Sequence, residues 1–386
     1  MLFNTKIKQF SQYKIGFWGE LCYIYGMEFF TKVELPKAGF KIDYTSKLAF
    51  FGSCFADNIA AQFAARKFRV LSNPFGTVYN PLSIERQLKL IAGGKTFGEE
   101  DVFQDARACP NASENQDARR TWHSWDAHSS LSAASREECI AKLNAASSQA
   151  REFLQQADTI FITLGSAFVY SLNGQIVANC HRQDPHLFER QMITVNESAE
   201  AIRGIVESIC RIKNRDWILR RSLPRTSSGA HDDTNATSHP LHIVFTVSPL
   251  RHMGDGAHGN NLSKSTLLLA VEKTLSGMQA SANPAEYFPS YEIVMDELRD
   301  YRFYESDMVH LTKTAEEYIF EKMLDTYCDG TTRENIRAVE KFMKMANHRI
   351  ADASIANEFL QKLRGEAAAL EAHIPGLDLG QEQKLP

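Results

Sequence analysis

The chain of 386 residues contains no C-x-x-C pair. Its seven cysteines, at positions 22, 54, 109, 139, 180, 210 and 328, are odd in number and widely scattered. That pattern excludes a disulfide framework and a thiolate zinc site, and points to a reducing, cytoplasmic compartment. Excess basic charge is missing too. With 43 Lys and Arg against 47 Asp and Glu, the net charge of −4 offers no cationic field for a phosphate backbone, so nucleic acid is not an expected partner. No apolar run is long enough to span a bilayer, because Glu20 and Glu28 break the aromatic-rich segment from Ile15 to Phe30. Nor does a small-residue cleavage site follow a basic start, so neither a signal peptide nor a membrane partner is expected. Gly93-Gly94 and Gly254-Asp255-Gly256 lack the Lys-Ser/Thr ending of a phosphate loop and the spacing of a dinucleotide turn. The pairs His181/His186 and His252/His258 fit no helical ligand spacing such as H-E-x-x-H. We therefore expect no metal and no other cofactor.

What remains is the composition of a globular protein, 44% hydrophobic and 23% charged. Short apolar runs alternate with helical patterns, the signature of parallel strands joined by crossover helices. Strands are expected at Leu48 to Phe51, Thr159 to Leu164, Leu241 to Val247 and, more weakly, Tyr291 to Met295. Helices are expected at Asp57 to Lys67, Ser135 to Gln156, Glu197 to Leu219, Ser263 to Met278 and Ala315 to Tyr327. The polar stretches Gln104 to Arg120 and Ser222 to Pro240 read as exposed loops. Residues 1–26 read either as an upstream extension before Met27 or as an N-terminal helix docked on the domain. Residues 27–330 form the main α/β domain, and 331–386 a helical C-terminal appendage with apolar positions such as Ile336, Val339 and Phe342.

Each strand ends beside unusual chemistry, and ligands of open parallel sheets bind beyond the carboxyl ends of the strands. The run Phe50-Phe51-Gly52-Ser53-Cys54 ends a buried strand at a glycine and turns directly into a helix. Such a turn lifts the Ser53 hydroxyl to the sheet edge beside unpaired helix N–H groups, which suits a nucleophile. A serine there can equally be an N-cap. Cys54 is intrinsically the better nucleophile, but one step into the helix it points away from the crevice and suits a small buried apolar role. Near the end of the domain, Asp307-Met308-Val309-His310 lets a carboxylate curl back to one imidazole nitrogen while the other acts as general base. A solvated turn is the alternative. Arg251 and His252 follow a central strand and could hold an anionic or hydroxylated group, or Arg251 could brace its loop. Trp122, His123, Trp125, Asp126 and His128 read as a sugar-stacking platform or as a folded loop.

Taken together, the Gly-Ser turn and the late Asp-x-x-His resemble the SGNH hydrolase superfamily. The resemblance is closer to its GSCFA family, through G-S-C-F-A at 52–56, N-P-F-G-T-V-Y-N at 73–80, T-L-G-S-A-F-V-Y at 163–170, T-V-S-P-L-R-H at 246–252 and Y-F-P-S-Y-E-I-V-M-D-E-L-R-D-Y-R-F-Y at 287–304. It spans about Glu28 to Tyr327. The resemblance implies a three-layer α/β sandwich with a central parallel sheet. It also implies Ser53 as nucleophile with Asp307 and His310 completing a triad, and the backbone N–H groups of Ser53 and Gly76 as part of an oxyanion hole. Many SGNH hydrolases carry an asparagine two positions after the glycine of the third block, where this chain has Gly165-Ser166-Ala167. Either another group such as Asn73 or Asn80 replaces that donor, or the enzyme is a weak one. The implied activity is a serine esterase for short acyl esters, acetyl esters of carbohydrates above all. An O-acyltransferase or a non-catalytic carbohydrate-binding protein on the same fold are the alternatives.

Overall fold

The computed structural model describes residues 23–24, 27–28, 31–105, 121–213, 241–278, 285–347 and 353–382. Most of the proposed extension at 1–26, most of the polar loop at 104–120 and all of that at 222–240 lie outside them. In chain order the main elements are β1 (Lys47–Gly52), α1 (Cys54–Ala65), β2 (Arg69–Ser72), α2 (Pro81–Gly93), α3 (Arg136–Gln156) and β3 (Thr159–Leu164). An antiparallel sheet of β4 (Phe168–Leu172), β5 (Gln175–Val177) and β6 (Glu189–Met192) follows. The chain continues through α4 (Val195–Ile212), β7 (His242–Val247), α5 (Gly256–Met278), β8 (Ala285–Tyr287), α6 (Lys313–Tyr327), α7 (Gly330–Ala346) and α8 (Ala353–His373).

The five strands of the central sheet run in the order β8-β7-β3-β1-β2, and every pairing is parallel. Alternate side chains of each strand feed opposite cores, as the period of two dictates. Ala49 and Phe51, Ile160 and Ile162, and Ile243 and Phe245 pack on one face with α2, α3, α4 and α5. Leu48, Phe50, Phe161 and Val244 pack on the other with α1, α6, α7 and α8. Burial on both faces explains why the strand sequences are nearly unbroken apolar runs. The result is the three-layer sandwich. Its C-terminal helical segment places Ile336, Val339, Phe342, Leu363 and Leu379 in the same core as α1 and α6, so α7 and α8 extend that helical layer. Among the described residues no helix is long and apolar enough to cross a membrane.

One expected strand is corrected. The segment Tyr291 to Met295 is a helical turn, Ser290–Glu292, running into a wider turn at Ile293–Glu297, and the edge strand is β8 just before it. Ile293 and Val294 are buried because the turn packs its inner side against the core, with Leu298 N–H closing on Ile293 O at 3.0 Å.

The order of strands positions the site. From β1 the chain moves first outward to β2 and then, through β3, back across to the other side. The crossovers that leave the neighbouring strands β1 and β3 therefore depart in opposite directions from their carboxyl ends. In doubly wound sheets this reversal opens the ligand crevice.

Candidate active site

Ser53 stands at the carboxyl end of β1, on the reversal. Gly52 makes the turn with φ of 127°, and a Cβ there would lie 2.0 Å from Thr163 O. Only glycine fits both constraints. The Gly52 N–H donates to Asn73 Oδ1 at 2.8 Å, and Asn73 Nδ2 donates to Asp57 Oδ1 at 2.9 Å. Asp57 also accepts from Ser72 Oγ and from Thr77 Oγ1. One carboxylate in the first turn of α1 thus pins the loop after β2 against the nucleophile turn.

Ser53 occupies the N-cap position of α1, yet its side chain accepts no capping hydrogen bond. Its Oγ is buried and has no hydrogen-bond partner. The capping alternative therefore fails. A buried unsatisfied hydroxyl costs about 1–3 kcal/mol, and such groups concentrate where a ligand or a reaction needs them. Gly165, at the end of β3, lies against it, since a Cβ on Gly165 would sit 3.3 Å from Ser53 Cβ. Cys54 is half-buried, and burial with the nearby Asp57 carboxylate pushes its thiol pKa up. Both effects keep the sulfur protonated and a poor nucleophile.

Asp307 and His310 form the expected pair, with Oδ2 2.6 Å from Nδ1. The same carboxylate accepts the backbone N–H groups of Val309 and His310 at 2.9 Å each through Oδ1. The imidazole, followed by those two amides, draws the Asp307 pKa down to about 2. Met308 sits between the pair with φ of 58°, and Thr312 then caps α6. This turn lies on the α1 side of the sheet, where Asn58 of α1 bonds Glu316 of α6. The pair is open to solvent, with His310 56% and Asp307 49% exposed. Since Ser53 Oγ has no partner, the serine–imidazole hydrogen bond is not made in this structure. Catalytic hydrogen bonds often close only when substrate is bound.

The two amides expected to form an oxyanion hole are both engaged. Gly76 N–H donates to Asn73 O at 2.7 Å, closing the turn that Gly76 ends. Ser53 N–H donates to Thr163 O at 3.3 Å, the longer and more easily diverted bond. At Gly76 the φ of 79° serves the turn, and a Cβ there would meet His128 Cβ at 2.3 Å. Of the candidate replacement donors, Asn73 is committed to Gly52 and Asp57, while Asn80 accepts the Ser83 N–H with Oδ1 at the start of α2.

Arg251 lines a cleft together with Met308, so the structure brings it beside the Asp307–His310 turn. His252 turns elsewhere. Its Nδ1 lies 3.0 Å from Asp255 Oδ2, and Asp255, whose side chain is fully buried, pairs with Arg190. The Arg190 guanidinium in turn lies 4.0 Å over the Phe168 ring. The aromatic stretch at 122–128 packs as a folded loop. Trp125 stacks on Phe103 at 3.7 Å, Asp126 pairs with Arg86, Arg136 covers Trp122, and Gly76 packs against His128. His181 faces His123 and bonds Ser124 O at 2.8 Å, and burial lowers its pKa to about 4, so it is a neutral core imidazole.

Sequence reasoning missed Lys264. Its Nζ donates to Gly165 O at 2.6 Å and to Ser248 O at 2.7 Å, tying the ends of β3 and β7 together from α5. Ser263 beside it accepts the Ala167 N–H at 2.7 Å. The signal was available in the spacing Asn260, Ser263, Lys264, Leu267, which puts the lysine on the inward face of the helix.

The order of these segments is matched by the GSCFA family over residues 47–220 and 224–323. The chain belongs to the GSCFA family. Its match includes Ser53, Lys264, Asp307 and His310, the groups that carry the geometry of this GSCFA protein. No curated protein matches it. Among solved structures, the crystal structure of the lipase Lip_vut3 from goat rumen metagenome is similar over 73% of this chain and 97% of its own, at 12% identity and a TM-score of 0.28.

Proposed function

We propose that the protein is a serine hydrolase of the SGNH type that cleaves short acyl esters, acetyl esters of carbohydrates above all. The observation that carries the reading is the buried Ser53 hydroxyl without a partner, placed at the strand reversal of a doubly wound sheet. His310 Nε2 takes the proton of Ser53 Oγ as that oxygen attacks the ester carbonyl carbon. Asp307, ionised down to about pH 2, holds Nδ1 and stabilises the imidazolium. Collapse of the tetrahedral adduct breaks the bond to the alcohol oxygen, which takes the proton from His310. Water, deprotonated by the same imidazole, then releases the acid from Ser53. The Ser53 N–H supplies one oxyanion donor by leaving its long bond to Thr163 O.

One observation favours a second reading of the base. The Asp255 carboxylate that lies 3.0 Å from His252 Nδ1 is buried, as the carboxylate of a triad ordinarily is, whereas Asp307 is half exposed. The test is turnover of p-nitrophenyl acetate and of acetylated oligosaccharides by wild type and Ser53→Ala. Activity that survives the substitution, or a wild type that cleaves none of these esters, would overturn the proposal.

A further inference from the structure

The cleft beside the Asp307–His310 turn has a volume of about 390 Å³ and a floor that includes buried Val294 and Leu298. Arg251, Arg299, Asp300, Tyr301, Tyr304 and Met308 form its walls. Neither arginine has an ion pair or a hydrogen bond with another described residue. The one carboxylate in the wall is already engaged, as Asp300 accepts the Arg302 N–H at 3.0 Å and lies 3.5 Å from Arg302 Nε. Arg251 sits close enough to the phenols of Tyr291 and Tyr304 to oppose, by its charge, the rise in pKa that burial causes in both. Tyr301 presents a ring that is 80% exposed at the mouth. Two arginines with no ion pair among the described residues thus line a concavity with an apolar floor and an aromatic lip. A guanidinium fork matches the two oxygens of a carboxylate or phosphate, and such bonds strengthen as water is displaced.

We propose that this cleft binds an anionic group, a carboxylate or a phosphate, on the sugar-like alcohol part of the substrate, with Arg251 and Arg299 as its ligands. The orientation toward Met308 and His310 rests on the ester-hydrolase reading; the anion site itself does not. Glucose, glucuronate and glucose 6-phosphate share one ring and differ in charge, so their dissociation constants for wild type, Arg251→Gln, Arg251→Lys and Arg299→Gln test the site. The expected result is that one or both anions bind wild type about tenfold to a hundredfold more tightly than glucose, the worth of charge-assisted hydrogen bonds. Arg251→Gln and Arg299→Gln reduce that preference, and Arg251→Lys keeps part of it. Which anion gains more separates carboxylate from phosphate. Because both arginines are exposed, the variants fold, which circular dichroism checks. Equal binding of the three ligands, or a preference untouched in both Gln variants, overturns the site. An anion preference without any esterase activity supports the site while removing the hydrolase reading. Serine-dependent esterase activity with no anion preference does the reverse.

Discussion

Replacing Gly52 with alanine strikes the turn that presents Ser53, and its cost can be worked from two constraints. The backbone at Gly52 has φ of 127°, a region that side-chain-bearing residues rarely adopt, at about 1–3 kcal/mol. The added Cβ would also stand 2.0 Å from Thr163 O and 2.8 Å from Thr163 C, far inside the 3.4 Å at which ordinary contact begins. Neither atom is the end of a flexible side chain. To clear them, β1 and β3 must part at their carboxyl ends, which breaks the Ser53 N–H bond to Thr163 O inside the protein and adds roughly 1–3 kcal/mol. The sum is about 2–6 kcal/mol, a large share of the 5–15 kcal/mol that ordinarily holds a domain folded. Urea unfolding followed by tryptophan fluorescence measures it. Gly365→Ala is the control, because Gly365 lies exposed inside α8 with nothing within 4 Å of an added Cβ. There alanine should stabilise by about 0.5–1 kcal/mol. A Gly52→Ala protein within about 1 kcal/mol of wild type would refute the argument that strain and backbone contact select glycine at the turn.

Lys264 gives the protein a pH dependence. Burial holds its pKa at about 7, below the 10.5 of a free lysine, so between those values the unfolded chain binds more protons and stability rises with pH. From pH 7 to pH 9 wild type should gain about 2 kcal/mol relative to Lys264→Met, read from unfolding at both pH values; parallel curves would refute it. For the proton relay, His310→Ala should lower kcat on p-nitrophenyl acetate by about 100- to 10,000-fold, and His252→Ala by about tenfold or less. The reverse ranking would assign the base to His252 and Asp255.

Strands β1, β3 and β7 were legible because burial on both faces leaves nearly unbroken apolar runs, which few other structures require. The segment from Tyr291 to Met295 misled for the same reason. Three successive apolar residues have no period of their own, and here the turn they form, not a sheet, packs Ile293 and Val294 into the core. Strand β2 escaped notice because as an edge strand it is only half-buried, and its Arg69 and Ser72 dilute the pattern. At the site, spacing made the Asp307–His310 contact possible, since a carboxylate three positions before an imidazole can close locally, but it left a solvated turn open. It could not say whether Ser53 caps its helix, because that depends on where one hydroxyl points. Nor could it show that the Gly76 N–H donates within its own turn, because that bond depends on how the loop after β2 closes. Lys264 stayed hidden because a lysine on the inward face of a helix becomes interpretable only when the carbonyls it meets, on two separate strands, are known.

The central claim is that the Ser53 hydroxyl is the reacting nucleophile. A fluorophosphonate probe incubated with the purified protein, followed by intact-mass and peptide mass spectrometry, tests it directly. The account requires one covalent adduct on Ser53 and none in Ser53→Ala. An unmodified Ser53, or label retained at Cys54 or elsewhere in the variant, would contradict it.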